Sequence, residues 1–311
     1  MAVDYLVTGG AGFIGSNLAE SLVARGHSVR VFDNFLTGKR VNLHSFEKKA
    51  EIVEGDLRDA DQVRRAVAGA RFVLHLAALP SVPRSVAEPQ LAHDVNINGT
   101  LNVLLAARDA QCERVVFSSS SSVYGDSEKL PKTEAMTPAP LSPYAIHKLT
   151  GEYYCRVFWQ LYALPTVSLR YFNVFGPRQD PQSEYAAVIP KFITSVLAGQ
   201  SPTIYGDGRQ SRDFSHVENI VEANLAACAA PKKALGREFN IACGGRVTLL
   251  ELLEAINRAV GTQIKPRFEP ARPGDIQHSQ ADIRQAHAYL NWTPRVDFRA
   301  GIERTIAFYR A

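Results

Sequence analysis

Tyr5-Leu6-Val7 runs directly into Thr8-Gly9-Gly10-Ala11-Gly12-Phe13-Ile14-Gly15, and this junction constrains the fold more than any other feature of the chain. Gly9, Gly12 and Gly15 stand three apart. Without Cβ atoms they permit a tight turn, close approach of the backbone to a pyrophosphate, and close packing of a helix on a strand. A helix is expected from about Phe13 to Arg25, with Leu18 and Leu22 at i,i+4 and Gly26 at the C′ position. Its first N–H groups and positive dipole end would face the phosphates. Asp33 closes the next strand, Val29-Arg30-Val31-Phe32, eighteen residues after Gly15. Its carboxylate can accept hydrogen bonds from both hydroxyls of a ribose and repels a 2′-phosphate, which favours NAD over NADP. A glycine triplet alone also fits a plain turn. The strand before it, the helix after it and the acid ending the second strand decide for a dinucleotide site.

The pattern continues through strands expected near Ala50 to Val53, Phe72 to Leu76, Arg114 to Ser118 and Thr166 to Arg170, with helices between. Continuous apolar strands alternating with helices predict an α/β fold, a doubly wound parallel Rossmann sheet covered on both faces. From Phe172 onward loops rich in Pro, Gly and Arg take over. Helices are expected at Val188 to Leu197 and after Thr248, where Thr248-Leu249-Leu250-Glu251 fits a capping box. Val217 to Ala229 reads as a helix and Glu238 to Ile241 as a strand that return to the first domain. The division expected is 1–172 for a NAD-binding Rossmann domain, with 216–242 returning to it, and 173–311 for a smaller α/β substrate-binding domain.

With 311 residues and 46% hydrophobic composition, the chain can bury a large core without disulfides or metals. The net charge of +4 is too small for a nucleic-acid footprint yet favours a small anionic substrate. Cys112, Cys155, Cys228 and Cys243 show neither CxxC pairing nor ligand spacing, so free thiols in a reducing compartment are expected. No apolar run approaches bilayer length, and the start lacks a basic leader, so a cytoplasmic protein is expected. His75, His93, His147, His216 and His278 show no ligand spacing, and no metal is expected.

Ser142-Pro143-Tyr144-Ala145-Ile146-His147-Lys148 places Tyr144 and Lys148 four apart, after a capping serine and an N1 proline. A free tyrosine, with a pKa of about 10, is a poor base at neutral pH. A nearby ammonium and a positive nicotinamide ring both favour its phenolate, so Tyr144 is expected to serve as general base and acid. Upstream, Phe117-Ser118-Ser119-Ser120-Ser121-Ser122-Val123-Tyr124 ends a strand in hydroxyls, at the sheet edge where ligands of such folds bind. Alone, a Tyr–Lys pair at this spacing also fits a solvated helix face. Gly55-Asp56-Leu57 suits an adenine contact or a surface loop equally well.

On these motifs the chain resembles the extended short-chain dehydrogenase/reductases, and within them the UDP-galactose and UDP-N-acetylglucosamine 4-epimerases. Thr8 to Gly15, Leu76-Ala77-Ala78, Asn96-Ile97-Asn98-Gly99-Thr100, Tyr144-x-x-x-Lys148 and Arg170-Tyr171-Phe172-Asn173-Val174-Phe175-Gly176 carry the likeness. The resemblance implies Ser120, Tyr144 and Lys148 as catalytic residues. It implies NAD contacts from Gly9, Gly12, Phe13, Ile14, Gly15, Asp33, Asn34, Asp56, Leu57, Leu76, Ala77, Ala78, Asn96 and Tyr171, besides Tyr144 and Lys148. Asn173 would hold the substrate's phosphates or sugar. Gly206-Asp207-Gly208 with Arg212-Asp213-Phe214, and Arg272-Pro273-Gly274-Asp275, resemble two clamps. In them Arg212 and Arg272 would meet the diphosphate and Asp275 a ribose hydroxyl. Singly, either arginine also suits a surface ion pair.

The resemblance further implies 4-epimerisation of a UDP-hexose through a transient 4-keto sugar, with the cofactor staying bound. Related dehydratases and decarboxylases carry carboxylates where this chain has Ser121 and Ser122. Ser279 falls at the position that selects at sugar C2, where glucose-restricted relatives place a tyrosine, so UDP-GlcNAc and UDP-GalNAc are expected as preferred substrates and UDP-Glc and UDP-Gal as weaker ones. Ser121 and Gln179 would touch the acetamido group or be structural. The alternative is a UDP-glucuronate 4-epimerase, with Arg84 or Arg178 on the sugar carboxylate. The alternative from another class is a dinucleotide-binding sensor without turnover, against which Ser120, Tyr144 and Lys148 argue. The absence of a Gly-x-Ser-x-Gly elbow disfavours a hydrolase. A homodimer is expected by analogy, through helices near Leu91 to Asp109 and Pro143 to Leu161.

Overall fold

The computed structural model describes residues 2–182, 187–271 and 277–310. In chain order the first half contains β1 (Val3–Thr8), α1 (Phe13–Ala24), β2 (Val29–Asp33), β3 (Glu51–Glu54), α2 (Ala60–Val67) and β4 (Ala70–His75). It continues with α3 (Val82–Ala87), α4 (Pro89–His93), α5 (Gly99–Asp109), β5 (Arg114–Ser120), α6 (Pro143–Tyr162) and β6 (Thr166–Tyr171). The second half holds β7 (Val174–Phe175), α7 (Val188–Leu197), β8 (Thr203–Tyr205), β9 (Ser211–Arg212), β10 (Ser215–His216), α8 (Val217–Cys228) and β11 (Arg237–Ile241). It closes with β12 (Val247–Thr248), α9 (Leu249–Val260), β13 (Arg267–Glu269), α10 (Arg284–Leu290) and α11 (Phe298–Arg310).

Seven parallel strands form the central sheet in the order β11-β6-β5-β4-β1-β2-β3, a doubly wound Rossmann arrangement. Alternation along each strand sends successive side chains to opposite faces. Val7 and Val31 therefore pack under α1 and α8 with Leu18, Leu22, Ile220 and Ala223. Leu6 and Phe32 pack on the other face with Val63, Val103, Leu104 and Phe158 from α2, α5 and α6. Burial on both faces explains why these strands read as unbroken apolar runs. The return strand β11 pairs with β6 at the sheet's outer edge, Arg237 beside Val167 through Ile241 beside Tyr171.

α7, α9 and α11 enclose a smaller core of Phe192, Ile193, Val196, Leu252, Ile256, Ile302 and Ile306. Three short ladders, β7 with β10, β9 with β12 and β8 with β13, connect this lobe to the crossing segment and to itself. The capping box at Thr248 forms: Glu251 N donates to Thr248 Oγ1 at 3.1 Å, and Thr248 N to Glu251 Oε2 at 2.7 Å. Between α4 and α5 the helix widens to a π-helical stretch over residues 94–98. No helix among the described residues is long and apolar enough to cross a membrane.

Candidate active site

The carboxyl ends of β1, β2, β4 and β5 open into a cavity of about 430 Å³. Gly9, Gly12, Phe13, Ile14, Gly15, Asp33, Asn34, Asp56, Leu57, Leu76, Ala77 and Ala78 line one side, and Ser120, Ser121, Tyr144, Lys148, Tyr171 and Asn173 the other. Gly9 adopts a φ of +69°, and a Cβ there would lie 2.7 Å from the Ala77 backbone. A Cβ on Gly15 would lie 2.2 Å from the Gly9 carbonyl oxygen, so the helix packs this closely on the loop only because Gly15 lacks a side chain. The N-cap of α1 is Gly12, which offers no side-chain acceptor to the first N–H groups of the helix beside the cavity. That cradle and the uncapped helix end fit the pyrophosphate of NAD.

Asp33 accepts backbone N–H bonds from Ala11 at 2.9 Å and from Phe35 at 2.8 Å. Burial raises its pKa, and these two bonds oppose the rise. Asn34 Nδ2 donates to Asp56 Oδ2 at 2.9 Å, so the two form one wall of the cavity. The Arg58 hydrogen bonds hold the Asp56 carboxyl well below its usual range. Leu36 and Thr37 also line this wall and were not legible in the sequence beyond their proximity to Asp33. Asn96 lies outside the cavity lining. It is buried, accepts from Leu79 N at 2.7 Å and donates to Leu79 O at 3.3 Å, so it shapes the loop after β4.

α6 delivers the Tyr–Lys pair. Ser142 Oγ accepts from Ala145 N at 3.2 Å, Pro143 occupies the first turn, and Tyr144 N donates to Ser85 Oγ of α3 at 3.1 Å. The side chains of Tyr144 and Ser120 line the cavity together, and Ser120 acts to lower the Tyr144 pKa. Lys148 Nζ donates to the Ser118 carbonyl at 2.7 Å and lies 5.7 Å from the centre of the Tyr144 ring. Burial pushes Tyr144 up to about 12, against the influence of Ser120, and pushes Lys148 down to about 8, against the charge of Glu152. Removing water penalises the charged form of both groups, and a nearby positive charge acts on Tyr144 in the opposite sense. β5 runs two residues beyond the expected end, to Ser120, which is what carries that hydroxyl to Tyr144.

Asn173 and Val174 also line a second cavity of about 850 Å³, bounded by Lys191, Phe192, Tyr205, Gln210, Arg212 and Phe214 among others. Asn173 adopts a φ of +32° and donates to the Asp213 carbonyl at 3.3 Å. Arg212 reaches this cavity from β9 and donates to Gln277 O at 3.3 Å. Lys191, Phe192 and Tyr205 belong to no motif; the only signal for them was an amphipathic helix and a short strand. Buried Asp213 accepts from Cys243 N, Gly244 N and Ala281 N at 2.9, 3.0 and 3.1 Å, tying segment 277–282 to β9 and β10. Ser279, half-buried, continues this tie by donating its N–H to Ser211 O at 3.0 Å, beside Arg212.

Other expected contacts lie elsewhere. Arg84 pairs with Glu88 at 2.9 Å on α3, and Arg178 with Glu20 at 2.6 Å. Gln179 Nε2 donates to Val174 O at 3.2 Å, and Gln179 is absent from both cavity linings. Ser122 N donates to Ser120 Oγ at 3.2 Å, while its own buried Oγ has no partner. Arg272 and Asp275 lie outside the described residues. No group of three or more His, Cys, Asp or Glu among the described residues is arranged to hold a metal.

The profile of the NAD dependent epimerase/dehydratase family matches residues 5–242. A UDP-glucose 4-epimerase of Mycolicibacterium smegmatis is 41% identical over 309 residues, covering 98% of both chains. The solved UDP-N-acetylglucosamine 4-epimerase of Methanobrevibacter ruminantium, in complex with UDP-N-acetylmuramic acid, superposes with a TM-score of 0.94 at 40% identity, covering 99% of this chain and 98% of that one. The UDP-glucose 4-epimerase of Thermus thermophilus in complex with NAD gives 0.89 at 39% identity, covering 99% of both.

Proposed function

Since the chain belongs to the NAD dependent epimerase/dehydratase family, we propose that it epimerises UDP-hexoses at C4, with UDP-GlcNAc and UDP-GalNAc preferred over UDP-Glc and UDP-Gal. NAD-dependent UDP-sugar 4-epimerase chemistry is common to the relatives above. The observation that carries it here is continuity. The dinucleotide cavity ends at Tyr144, Ser120 and Lys148, then passes Asn173 into a second cavity with Arg212 and Lys191. A sugar at that junction has its reacting carbon against Tyr144 and its diphosphate towards the cations.

NAD held by the Gly9–Gly15 cradle and Asp33 would supply a reversible hydride acceptor for C4. Tyr144 takes and gives back the O4 proton, with Ser120 on the short path between hydroxyl and sugar. Lys148 holds the end of β5 through Ser118. Ser121 and Ser122 bring no carboxyl to the sugar, so elimination of water or loss of carbon dioxide has no acid–base group there. Arg212, and Arg272 with Asp275, are proposed to hold the UDP group. Division of the chain into 1–172 with 216–242, and 173–311, assigns the cofactor to the first part and the sugar nucleotide to the second.

The N-acetyl preference rests on Ser279, a small residue in the segment tied to β9, and on the solved relative that holds an N-acetylated sugar nucleotide. Arg84 and Arg178 already face carboxylates of their own, which weighs against a glucuronate substrate. The proposed homodimer uses α6, whose exposed face shows Ile146, Tyr153, Val157 and Leu161 at helical spacing. Unpaired thiols at all four cysteines accord with a cytoplasmic protein. Product analysis with UDP-Glc, UDP-Gal, UDP-GlcNAc, UDP-GalNAc and UDP-GlcA tests the assignment. Turnover of UDP-GlcA alone overturns it.

A further inference from the structure

One face of α6 grips three consecutive residues at the end of β5. Tyr144, Lys148 and Glu152 are spaced at i, i+4 and i+8, so their side chains rise one above another. Tyr144 lines the cavity beside Ser120, Lys148 bonds the carbonyl of Ser118, and Ser119 Oγ donates to Glu152 Oε1 at 2.5 Å. The first two contacts belong to the site described above; the third does not.

Glu152 is 4% exposed, and a carboxylate so far from water needs several partners. Arg170 supplies them: Nε donates to Oε1 at 2.8 Å and an Nη to Oε2 at 2.7 Å. The other Nη of Arg170 donates to the Tyr124 hydroxyl at 2.8 Å, and that hydroxyl donates to Asn240 Oδ1 at 2.6 Å. Asn240 Nδ2 in turn donates to the carbonyls of Lys132 at 2.9 Å and Asp282 at 3.2 Å. Asp282 lies three residues after Ser279. A packed apolar pair would support the fold as well as a buried ion pair does. The ion pair adds direction: with the guanidinium fork fixing both oxygens, the carboxylate has one orientation, and in it the hydroxyl of Ser119 is held. Fully satisfied buried networks of this kind are rigid.

We propose that Glu152 is a positioning residue for proton transfer: locked by Arg170, it fixes Ser119 and thereby the adjoining Ser120, setting the hydroxyl that lines the cavity beside Tyr144. The proposal rests on reading Tyr144 and Ser120 as the proton-transfer pair. Ser119→Ala is the cleanest test, because it cuts the rung and leaves the Arg170–Glu152 pair whole; Glu152→Gln is the second variant. Misplacing reacting groups by an ångström costs up to about a hundredfold, so kcat of Ser119→Ala should fall by about tenfold or more. KM should stay within about twofold, with bound NAD and the thermal midpoint unchanged. A role in stability alone would lower the midpoint and spare kcat. Wild-type kcat in Ser119→Ala, or a loss confined to KM, overturns the proposal whether or not Glu152→Gln folds. Wild-type enzyme assayed first on the UDP-sugars decides the functional reading separately. If no UDP-sugar is turned over, crystal structures of the wild type and Ser119→Ala still decide: a Ser120 hydroxyl in the same position relative to Tyr144 in both overturns the positioning role, and a displaced one supports it.

Discussion

Lys148 is bonded to Ser118, its Nζ donating to the backbone carbonyl at 2.7 Å, one helical turn beyond Tyr144. The lysine therefore holds the strand end, and Ser120 is the hydroxyl that shares the cavity lining with Tyr144. Tyr144→Phe keeps the ring and the cavity wall and removes only the oxygen. Turnover should fall by about 10²–10⁴-fold, the usual contribution of a general acid–base group, while NAD copurifies as before. Rates near wild type, measured with the preferred UDP-sugar, would remove Tyr144 from the mechanism.

Asp33 has two tasks, since its carboxylate also binds the N–H groups of Ala11 and Phe35. Asp33→Asn retains one acceptor oxygen and loses the charge. Discrimination against NADP should relax, with a smaller loss of NAD retention than in Asp33→Ala. Titration of the cofactor-stripped variants with both dinucleotides measures this, and a wild type that already prefers NADP contradicts the assignment.

His75 lies sealed between the hydroxyls of Thr8 at 2.8 Å and Thr100 at 3.0 Å. Burial, with a smaller push from Lys148, holds it down at about 3, against 6.5 for a free imidazole. Between those values the unfolded chain binds the proton and the folded one does not, so stability is intact above pH 6.5 and falls as pH drops towards 3. One such group contributes about 1.4 kcal/mol per pH unit within the window. His147, held down at about 4, acts in the same sense. His75→Gln should flatten, without abolishing, the acid slope of stability in denaturant melts. An unchanged slope would show that His75 protonates in the native protein.

Ser279→Tyr should lower kcat/KM for UDP-GlcNAc and UDP-GalNAc and largely spare the plain hexoses, because the ring would fill the acetamido volume. One misfit group of this kind is worth roughly 10–200-fold. Parallel losses on both pairs would show that this position does not select at C2.

Charge placed on the exposed face of α6 tests the dimer. Val157 and Leu161 are 40% and 70% exposed, so Val157→Glu with Leu161→Glu should leave the fold intact. Sedimentation should then report a monomer where the parent is a dimer. A parent that is already monomeric sinks the proposal.

The sheet was legible because each of its strands carries its own evidence: an apolar run, a glycine loop, an acid or hydroxyls at its end. The cofactor wall was legible for the same reason, since its groups follow their strands directly in sequence. Glu152 and Arg170 were not, although Glu152 continues the spacing of Tyr144 and Lys148. A glutamate on a helix suggests a wet face, and only its partner on β6 shows otherwise. The lining of the second cavity was equally hidden. Its ladders are two or three residues long and form because the lobes pack, not because their residues favour strands.

β11 closes the outer edge of the sheet, and α8 covers Val116, Val167 and Leu169 on the way to it. A polypeptide ending at 172 would thus be no autonomous dinucleotide binder. β6 would be left with a bare row of amide groups, and the apolar face beneath α8 would meet water, both invitations to self-association. The two halves, 1–172 and 173–311, should be insoluble when produced apart and recover solubility only when produced together, with 237–241 of one piece completing the sheet of the other.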